Sequence, residues 1–457
     1  MSIILNADSY KSSHYLQYPP RTEHVSSYIE ARTGSGFQKT LFFGLQAFLK
    51  EYWSKPITGE DIDKAREILT SHGEPFNIEG WRHILNAHGG RLPLEIEALP
   101  EGSTVDRGNC LVQVVNTDER VPWLTSYVET SLLRAVWYPT TVATISWYAR
   151  QTIMHYLEKT CDDPAGQIDF KLHDFGARGV SSLESAGIGG LAHLVNFNGT
   201  DTLSAILSAR KYYGSSMAGF SVPAAEHSTI TSWGRDGEEK AYQNMIDQFG
   251  RGALVAIVAD SYDLSNAVQN IFGKNLKQDV ESMNATLVVR PDSGNPAEIV
   301  LQTAKELADA FGCSKNEKGY YVLNPKVRII QGDGVDVVSI GEILRELEIH
   351  RFSAENVSFG MGGGLLQRLD RDTLRFAMKA SAVQCRGMWR EVFKKPITDP
   401  TKSSMGGRLA VIQVDGAYRT VKRENLKGGD NLLRTIWKDG NLLEDFSLEE
   451  IRARARR

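Results

Sequence analysis

A series of short apolar segments, separated by helical patterns, is the feature that most constrains the fold of this chain. The segments begin near residue 168 and read DFKLHDFG, AHLVNFNG, GFSVPAAE, LVAIVADSYD, TLVVRPDSG, VRIIQGDG and NVSFGMGGG. Strands that alternate with helices are typical of βα units, and continuously apolar strands indicate a parallel sheet buried on both faces. We therefore predict an α/β fold whose (β/α) barrel-like domain has seven or eight units over residues 168–383, with LRFAMKASAV as a candidate last strand.

The segments before and after this series have an antiparallel texture. Residues 93–117 predict two alternating strands around a Pro-Glu-Gly turn. Near the other end of the chain, the Asp415-Gly416 pair between two alternating runs indicates a β-hairpin. We predict that residues 1–167 and 384–457 pair into a second, mixed α+β domain.

Charge and cysteine content narrow the class of partner and compartment. The formal net charge is −4, from 52 basic and 56 acidic side chains, so nothing in the bulk electrostatics favours a nucleic acid or an anionic membrane as partner. No apolar run approaches the roughly 20 residues that span a bilayer. We expect that the opening MSIILNADSYKSSHY is not a signal peptide, because it has no charged n-region followed by a long apolar core. The four cysteines are far apart, and no Cys/His metal spacing occurs. We expect a reduced, cytoplasmic protein.

Polar residues and glycines stand where each predicted strand ends. These endings are His173 to Gly176 with Arg178, Asn196 and Phe197 with Asp201, Glu226 and His227, Asp260, Arg290 and Asp292, Gly332 to Gly334, and Gly360 to Gly364. In barrels the carboxyl ends of the strands carry the active site. Seven successive endings of this kind therefore indicate one shared site.

The residue types at these endings favour a phosphorylated ligand. The glycine run in GMGGGLLQ, with a predicted helix from Leu365 onward, would let backbone N–H groups approach a phosphate, although a flexible turn explains the run equally well. Asp333, between two glycines, is suited to sugar hydroxyls. Asp260 and Asp292 are suited to Mg²⁺, directly or through water, but they could instead cap the helices that follow. Arg290 favours an anion, because a buried unpaired arginine is costly.

Eight motifs, taken together and in chain order, resemble the nicotinamide phosphoribosyltransferase family. They are DSYKSSHYLQYPP, LHDFGARG, NFNGTDT, SVPAAEHSTI, DSYD, RPDSGNP, QGDGVD and GMGGGLLQ, and the similarity runs from Asp8 to the C-terminal hairpins. The resemblance implies transfer of a phosphoribosyl group from phosphoribosyl pyrophosphate to nicotinamide, which yields nicotinamide mononucleotide and pyrophosphate for NAD biosynthesis. It also implies Mg²⁺, ATP as an energy-coupling co-substrate, and a homodimer with active sites at the subunit interface.

The resemblance assigns roles around the nicotinamide ring. It implies that Phe175 and the partner subunit's Tyr10 sandwich the ring, and that Asp201 accepts a hydrogen bond from the carboxamide. The other residues that it places near the base, or between the base and the ribose, are Arg178, Ser221, Val222, Arg290 and Asp292.

The resemblance also assigns roles around the phosphates and the ribose. It implies that Asp333 binds ribose hydroxyls and that ATP transiently phosphorylates His227, for which Asp260 and Glu226 are the candidate orienting groups. The glycines near the 5-phosphate are Gly332, Gly362 and Gly363, and the basic set around pyrophosphate or the ATP phosphates is Arg32, Arg371, Lys379, Lys394 and Lys402. Departures from some family members, which leave local ring and phosphate contacts open, are Ala177 in place of tyrosine and Met361 and Ala377 in place of serine.

Three alternative functions remain open at this level. A nicotinate phosphoribosyltransferase is the nearest, but Asp201 would then face the nicotinate carboxylate and place two like charges together. A sugar-phosphate aldolase would need a Schiff-base lysine or a metal at a strand end, and the one lysine that ends a candidate strand is Lys379. A non-catalytic binding protein on the same fold is the third, and the intact acids, Arg290 and His227 argue against it.

Overall fold

Two compact units make up the computed structural model, which describes residues 2–34, 36–399, 402–426 and 431–456. Unit 1 consists of Met1–Thr144, Ser208–Ser216 and Leu369–Arg457, and unit 2 consists of Ile145–Leu207 and Met217–Arg368. Both ends of the chain therefore contribute to one unit, and the middle of the chain forms most of the other.

The secondary structure of the described residues mixes strands and helices throughout. The strands, in chain order, are β1 (Thr22–Ala31), β2 (Lys39–Leu41), β3 (Leu94–Ala98), β4 (Thr104–Asp106), β5 (Cys110–Asn116), β6 (Leu172–Asp174), β7 (Gly199–Thr200), β8 (Leu254–Val258), β9 (Thr286–Arg290), β10 (Cys313–Lys315), β11 (Tyr321–Leu323), β12 (Val327–Gln331), β13 (Val357–Met361), β14 (Phe376–Cys385), β15 (Met388–Glu391), β16 (Leu409–Val414), β17 (Ala417–Lys422), β18 (Arg434–Lys438) and β19 (Asn441–Leu442). The α-helices are α1 (Leu45–Phe48), α2 (Gly59–Ser71), α3 (Ile78–His88), α4 (Leu124–Tyr127), α5 (Glu129–Thr160), α6 (Pro164–Ile168), α7 (Leu183–His193), α8 (Leu203–Tyr213), α9 (His227–Thr231), α10 (Glu238–Phe249), α11 (Leu264–Asn266), α12 (Lys277–Ser282), α13 (Pro296–Phe311), α14 (Val337–Ile349), α15 (Gly363–Leu366) and α16 (Leu448–Ala455). Within the described ranges, no helix has the length and apolar character needed to cross a membrane.

A seven-stranded antiparallel sheet organises unit 1, in the order β15-β14-β1-β5-β3-β18-β19. Every residue of β5 is buried, because this strand lies between β1 and β3. Arg434 of β18 pairs with Ala98 of β3, so a C-terminal strand is hydrogen-bonded directly to an N-terminal one. The prediction of a mixed domain built from both ends of the chain is confirmed.

Aromatic packing anchors α3 in the core of unit 1. Trp81 of α3 is buried, and its ring meets Trp123 at 4.9 Å and Tyr127 at 5.0 Å between centroids, both edge-on. Edge-to-face contacts of this kind add to the stabilisation that burial of the rings already provides. The helix is therefore held firmly against the segment that follows β5.

The predicted hairpin near the C-terminus forms as the Asp-Gly pair requires. β16 and β17 pair over six registered positions, and the two turn residues Asp415 and Gly416 have φ angles of 50° and 79°. A two-residue turn with positive φ at both positions matches the right-handed twist of the flanking strands. The local sequence alone therefore predicted this hairpin correctly.

A six-stranded parallel sheet organises unit 2, in the order β7-β6-β13-β12-β9-β8. An irregular segment bridges its two edges, because Phe220 pairs in parallel with Gly199 of β7 and Ala224 pairs in parallel with Ala256 of β8. Pro223 lies inside this segment and has no N–H to donate, so the segment cannot form a regular ladder. The barrel-like prediction is confirmed, with the GFSVPAAE segment as a seventh, irregular position.

The prediction that LRFAMKASAV is the last strand of the parallel series is wrong. This stretch forms β14, which pairs antiparallel with β1 of unit 1 from Cys385 to Phe376 and does not continue the parallel series. An alternating apolar run satisfies either type of sheet, and the ten residues of β1 supply a long antiparallel partner. Unit 2 accordingly ends at Arg368 rather than near residue 383, and it begins within α5, at Ile145.

Candidate active site

Small apolar residues form a floor inside the curled sheet of unit 2. Ala256 of β8, Val288 of β9 and Ile330 of β12 point the same way and pack together, and the half-buried Phe175 and Val222 cover them. Side chains alternate between the two faces of a strand, so one residue from each of these three strands reaches this interior layer. The layer closes the bottom of a site whose rim is built by the strand ends.

Glycines make room for the ring of Phe175 immediately above this floor. A Cβ atom at Gly360 would lie 1.9 Å from the Phe175 ring, and one at Gly332 would lie 3.4 Å from it. The guanidinium carbon of Arg290 is 5.7 Å from the centroid of the same ring. Only glycine is compatible with this close approach at position 360, and the result is an aromatic face with a cation beside it.

His227 stands at the first residue of α9 and meets the end of β8. Its Nε2 lies 2.9 Å from Oδ1 of Asp260, and the hydroxyl of Ser293 donates to Oδ2 of the same carboxylate at 2.6 Å. The Asp260 side chain is 8% exposed, whereas that of His227 is 47% exposed. A buried carboxylate held from both sides therefore orients a histidine that solvent and ligands can reach.

Asp292 approaches the other nitrogen of the same imidazole. Its Oδ2 is 3.9 Å from His227 Nδ1, while its Oδ1 accepts two hydrogen bonds from Arg290, at 3.0 Å from Nε and 2.7 Å from a terminal nitrogen. Arg290 is thereby held between the aromatic face of Phe175 and a carboxylate. Asp260 and Asp292 therefore place two carboxylates around one histidine.

The residue after β7 places a further carboxylate beside the end of β6. The backbone N–H of Asp201 donates to the carbonyl of Asp174 at 3.0 Å, and the Ser221 hydroxyl donates to the Asp201 carboxylate. Asp174 itself is buried; burial raises the pKa of its carboxyl group, and it accepts the Gly176 N–H at 2.7 Å. Asp174 therefore shapes the turn after β6, and Asp201 presents an acceptor at the rim.

The glycine-rich endings are less regular than the sequence indicated. Asp333 is exposed and its backbone carbonyl accepts a hydrogen bond from Gln331 at 2.8 Å. Gly363 opens α15 directly after Gly362, but this helix ends at Leu366. The helix predicted from Leu365 onward does not form, because the backbone leaves the helical conformation at Gln367, where φ is −131°.

Two other candidates sit at the rim with different partners. Arg178 is exposed on a single 3-10 turn, Ala177–Gly179. Glu226 precedes His227, but its carboxylate accepts from the Ser228 hydroxyl. The contacts therefore favour Asp260 over Glu226 as the group that orients the imidazole.

The predicted basic residues belong to unit 1, where several of them cluster. Lys379 of β14 pairs with Tyr28 of β1, and burial lowers its pKa, a shift that Glu129 opposes and Arg32 reinforces. Lys11, buried in the DSYK motif, donates to Glu129. The remaining candidates of this unit are Tyr10 at 53% exposure, Lys394 in an electrostatic interaction with Lys379, Arg371 paired with Asp372 and Lys402 paired with Asp399.

Sequence reasoning missed Ser293 and Lys11 as supporting residues. Ser293 lies in the RPDSG motif directly after Asp292, and its hydroxyl holds the carboxylate that orients His227. Both residues lie inside motifs that the sequence analysis singled out, each directly after a candidate site residue. This adjacency in the sequence is the signal that could have identified them.

Two family models match the chain. Residues 170–440 match the nicotinate phosphoribosyltransferase (NAPRTase) family, and residues 2–96 match the nicotinamide phosphoribosyltransferase N-terminal domain.

Curated relatives align with nearly the whole length of this chain. A nicotinamide phosphoribosyltransferase of Xanthomonas campestris pv. campestris (strain 8004) is 51% identical, with 99% of this chain and 98% of that protein aligned. One of Acinetobacter baylyi is 34% identical, with 98% and 96% aligned.

Solved structures share the fold at low identity. Nicotinate-nucleotide pyrophosphorylase from Pyrococcus furiosus superposes with a TM-score of 0.63 at 17% identity, over 99% of this chain and 95% of that one. Human nicotinic acid phosphoribosyltransferase superposes with a TM-score of 0.60 at 18% identity, over 98% and 92%. At these identities the likeness concerns the fold, and it agrees with the α/β architecture described above.

Proposed function

The chain belongs to the nicotinamide phosphoribosyltransferase family, and on this basis we propose that it transfers the phosphoribosyl group of phosphoribosyl pyrophosphate to nicotinamide. The bond between the anomeric carbon and pyrophosphate breaks, and the pyridine nitrogen forms the new bond to that carbon. The products are nicotinamide mononucleotide and pyrophosphate. The enzyme is thus a pentosyltransferase of NAD salvage.

The observation that carries the choice of base is the carboxylate of Asp201 at the rim beside the end of β6. A carboxylate accepts hydrogen bonds, so it pairs with the NH₂ group of nicotinamide and repels the carboxylate of nicotinate. Ser221 donates to Asp201 and holds this acceptor in place. The amide is therefore the better ligand.

Phe175 suits the chemistry of the nicotinamide ring, and Arg290 suits the phosphorylated ribose. The pyridine nitrogen becomes cationic as the new bond forms, and an aromatic face stabilises a nearby positive charge by about 0.5–2 kcal/mol. Gly360 and Gly332 leave room for the Phe175 ring in this position. Arg290, held by Asp292, is placed to meet a negatively charged ribose phosphate group rather than the base.

His227 is the group that would couple turnover to ATP. Its Nε2 faces Asp260, so the neutral ring carries its proton there and leaves the Nδ1 lone pair as the nucleophile. Nδ1 attacks the γ-phosphorus of ATP, the bond to the ADP oxygen breaks, and ADP leaves. Water later hydrolyses the phosphohistidine and releases phosphate. The phosphorylated ring adds negative charge at the rim while it persists.

The donor set beside His227 fits Mg²⁺. Asp260 and Asp292 offer carboxylate oxygens, and Mg²⁺ in phosphoryl and pyrophosphoryl sites is usually held by one or two carboxylates, waters and the phosphates of the substrate. These two residues would hold the ion, directly or through water. When bound, Mg²⁺ neutralises charge on the leaving pyrophosphate.

Assembly and location complete the proposal. We place the enzyme in the cytoplasm as a homodimer, in which the partner's Tyr10 would cover the ring from the side opposite Phe175. Tyr10 is 53% exposed in the single chain, which supports this assignment.

Product analysis tests the reaction directly. The purified protein is incubated with labelled nicotinamide, phosphoribosyl pyrophosphate and Mg²⁺, with and without ATP. We expect labelled nicotinamide mononucleotide in both reactions and more of it with ATP. Absence of the mononucleotide under both conditions would refute the proposal.

Base selectivity tests the role of Asp201. Asp201→Asn should raise the ratio of kcat/KM for nicotinate to that for nicotinamide by at least about tenfold, because it removes a like charge facing the carboxylate. Glu226→Gln is the matched control, since Glu226 pairs with Ser228, and it should leave the ratio unchanged. An unchanged ratio in Asp201→Asn would remove the reason for choosing the amide while leaving transferase activity intact.

A further inference from the structure

Two histidines and an aspartate meet in unit 1, on elements that the transferase chemistry described above does not use. His83 and His88 lie on α3, and Asp118 lies two residues after β5. The Nε2 atoms of the two imidazoles approach the same carboxylate oxygen, Oδ2 of Asp118, at 2.6 Å and 2.7 Å. Among the described residues, this is the group of three His, Cys, Asp or Glu side chains whose ligand atoms lie within 4.8 Å of one another.

We propose that His83, His88 and Asp118 form a binding site for a divalent transition-metal ion of the Zn²⁺ class. Two imidazoles and one carboxylate are a common set of three protein ligands, and they leave a fourth position for water. Imidazole ligands favour Zn²⁺ and its neighbours over Mg²⁺, which takes oxygen ligands.

The geometry is close to that of a filled site. In a tetrahedral zinc site with bonds of about 2.0–2.1 Å, neighbouring ligand atoms lie about 3.3 Å apart. Each histidine nitrogen here is 2.6 or 2.7 Å from the Asp118 oxygen. A shift of roughly half an ångström per side chain makes room for the ion. The two rings are nearly perpendicular, with 5.6 Å between centroids, so their nitrogens converge without stacking.

Further contacts hold Asp118 in position. Its second carboxylate oxygen accepts the backbone N–H of Arg120 at 2.8 Å, and its backbone carbonyl accepts the side-chain amide of the buried Asn116 at 2.8 Å. Such surrounding hydrogen bonds orient metal ligands and sustain affinity.

The histidines are also positioned by the structure around α3. Residues five apart do not share a face of a regular helix. His88, however, is the last residue of α3, and the helix ends there because Gly89 adopts the left-handed conformation, with φ of 59°. Trp81 anchors the same helix in the core. The side chains of His83, His88 and Asp118 are 13%, 26% and 17% exposed, so an ion can reach them while most of each ligand is shielded.

Zinc titration of the metal-stripped enzyme tests the site. The full-length protein is treated with a chelator, returned to buffer with excess Mg²⁺ to occupy oxygen sites, and titrated with Zn²⁺ by calorimetry and with Co²⁺ by visible absorption. We expect one ion per chain with the absorption of a four-coordinate Co²⁺ centre, and a rise in the unfolding temperature on addition of Zn²⁺.

Matched variants assign the binding to these residues. His88→Gln and Asp118→Asn retain hydrogen-bonding groups, and each should weaken Zn²⁺ binding by more than about tenfold and abolish the thermal shift. His155→Ala, an exposed histidine on α5, and His227→Ala should bind as the wild type does. The proposal is overturned if the wild type binds no Zn²⁺, if His88→Gln and Asp118→Asn bind it unchanged, or if His227→Ala abolishes it. Circular dichroism of the stripped variants separates loss of binding from loss of folding.

Discussion

The His227 cluster of unit 2 and the His83–His88–Asp118 cluster of unit 1 use the same residue types in opposite ratios. His227 has a carboxylate at each ring nitrogen, Asp260 at 2.9 Å and Asp292 at 3.9 Å. In unit 1 a single carboxylate oxygen faces two imidazoles. Two acids around one histidine orient that histidine, whereas two histidines around one acid direct their nitrogens at a common point. The first arrangement suits proton and phosphoryl chemistry, and the second suits a divalent ion of the Zn²⁺ class.

The largest expected effect separates the two clusters by their reactivity toward ATP. His227→Ala should abolish ATP stimulation and lower incorporation of γ-phosphate label into the protein by more than about 100-fold, because the nucleophilic nitrogen is gone. His88→Ala is the control and should be labelled normally. Labelling of His227→Ala at the wild-type rate would show that the two histidine environments do not differ in this way.

The next effect concerns the carboxylates. Asp260→Asn should slow phosphorylation of His227 by about 100-fold, since the amide no longer selects the tautomer with its proton on Nε2. Asp118→Asn makes the same chemical change in unit 1 and should leave the phosphorylation rate unaltered. Rapid-quench measurement of labelled protein gives both rates. Equal rates in Asp260→Asn and the wild type would contradict the orienting role.

A smaller effect concerns stability without metal. Asp118→Asn should lower the free energy of unfolding by about 1–3 kcal/mol, because the ionised carboxylate accepts from both histidines and from the Arg120 backbone. Denaturant unfolding of the chelator-treated protein measures this change. Asp372→Asn, whose partner Arg371 is exposed, is the control and should change stability by less than about 0.5 kcal/mol. A loss as small as that of the control would mean that the cluster does not brace α3.

The smallest effect tests the support beneath His227. Ser293→Ala should slow phosphorylation by about fivefold, because it removes one hydrogen bond to Asp260, worth about 1 kcal/mol. Ser228→Ala removes a hydroxyl that donates to Glu226 and leaves the hydrogen bonds of Asp260 in place. The phosphorylation rate of this variant should therefore stay within about twofold of the wild-type rate. Equal slowing in both variants would point to a general disturbance of the α9 region.

Much of unit 2 was predictable because its signals are local. Five of the seven apolar runs form strands, namely β6, β8, β9, β12 and β13, whereas most of AHLVNFNG lies outside any strand and GFSVPAAE is irregular. Because parallel strands bring their carboxyl ends to one edge, His227, Asp260 and Asp292 could be expected together. The requirement for glycine at 360 has a local cause as well, since the residue lies where the Phe175 ring must pass. Which acid meets Nε2 of His227 was not predictable, because Asp260 and Glu226 both follow candidate strands.

The sequence by itself determined the strand series, the Asp415-Gly416 hairpin and the pattern of polar strand ends, since each depends on the conformational preferences of neighbouring residues. Only the tertiary structure decided that LRFAMKASAV pairs with β1, and that His83, His88 and Asp118 meet. The two histidines are five residues apart on a helix, and the aspartate is 30 residues further along the chain, so their spacing matches no metal-binding motif. Their meeting depends on how α3 packs against the segment after β5, and contacts between distant segments are set by packing of the whole core rather than by local preference.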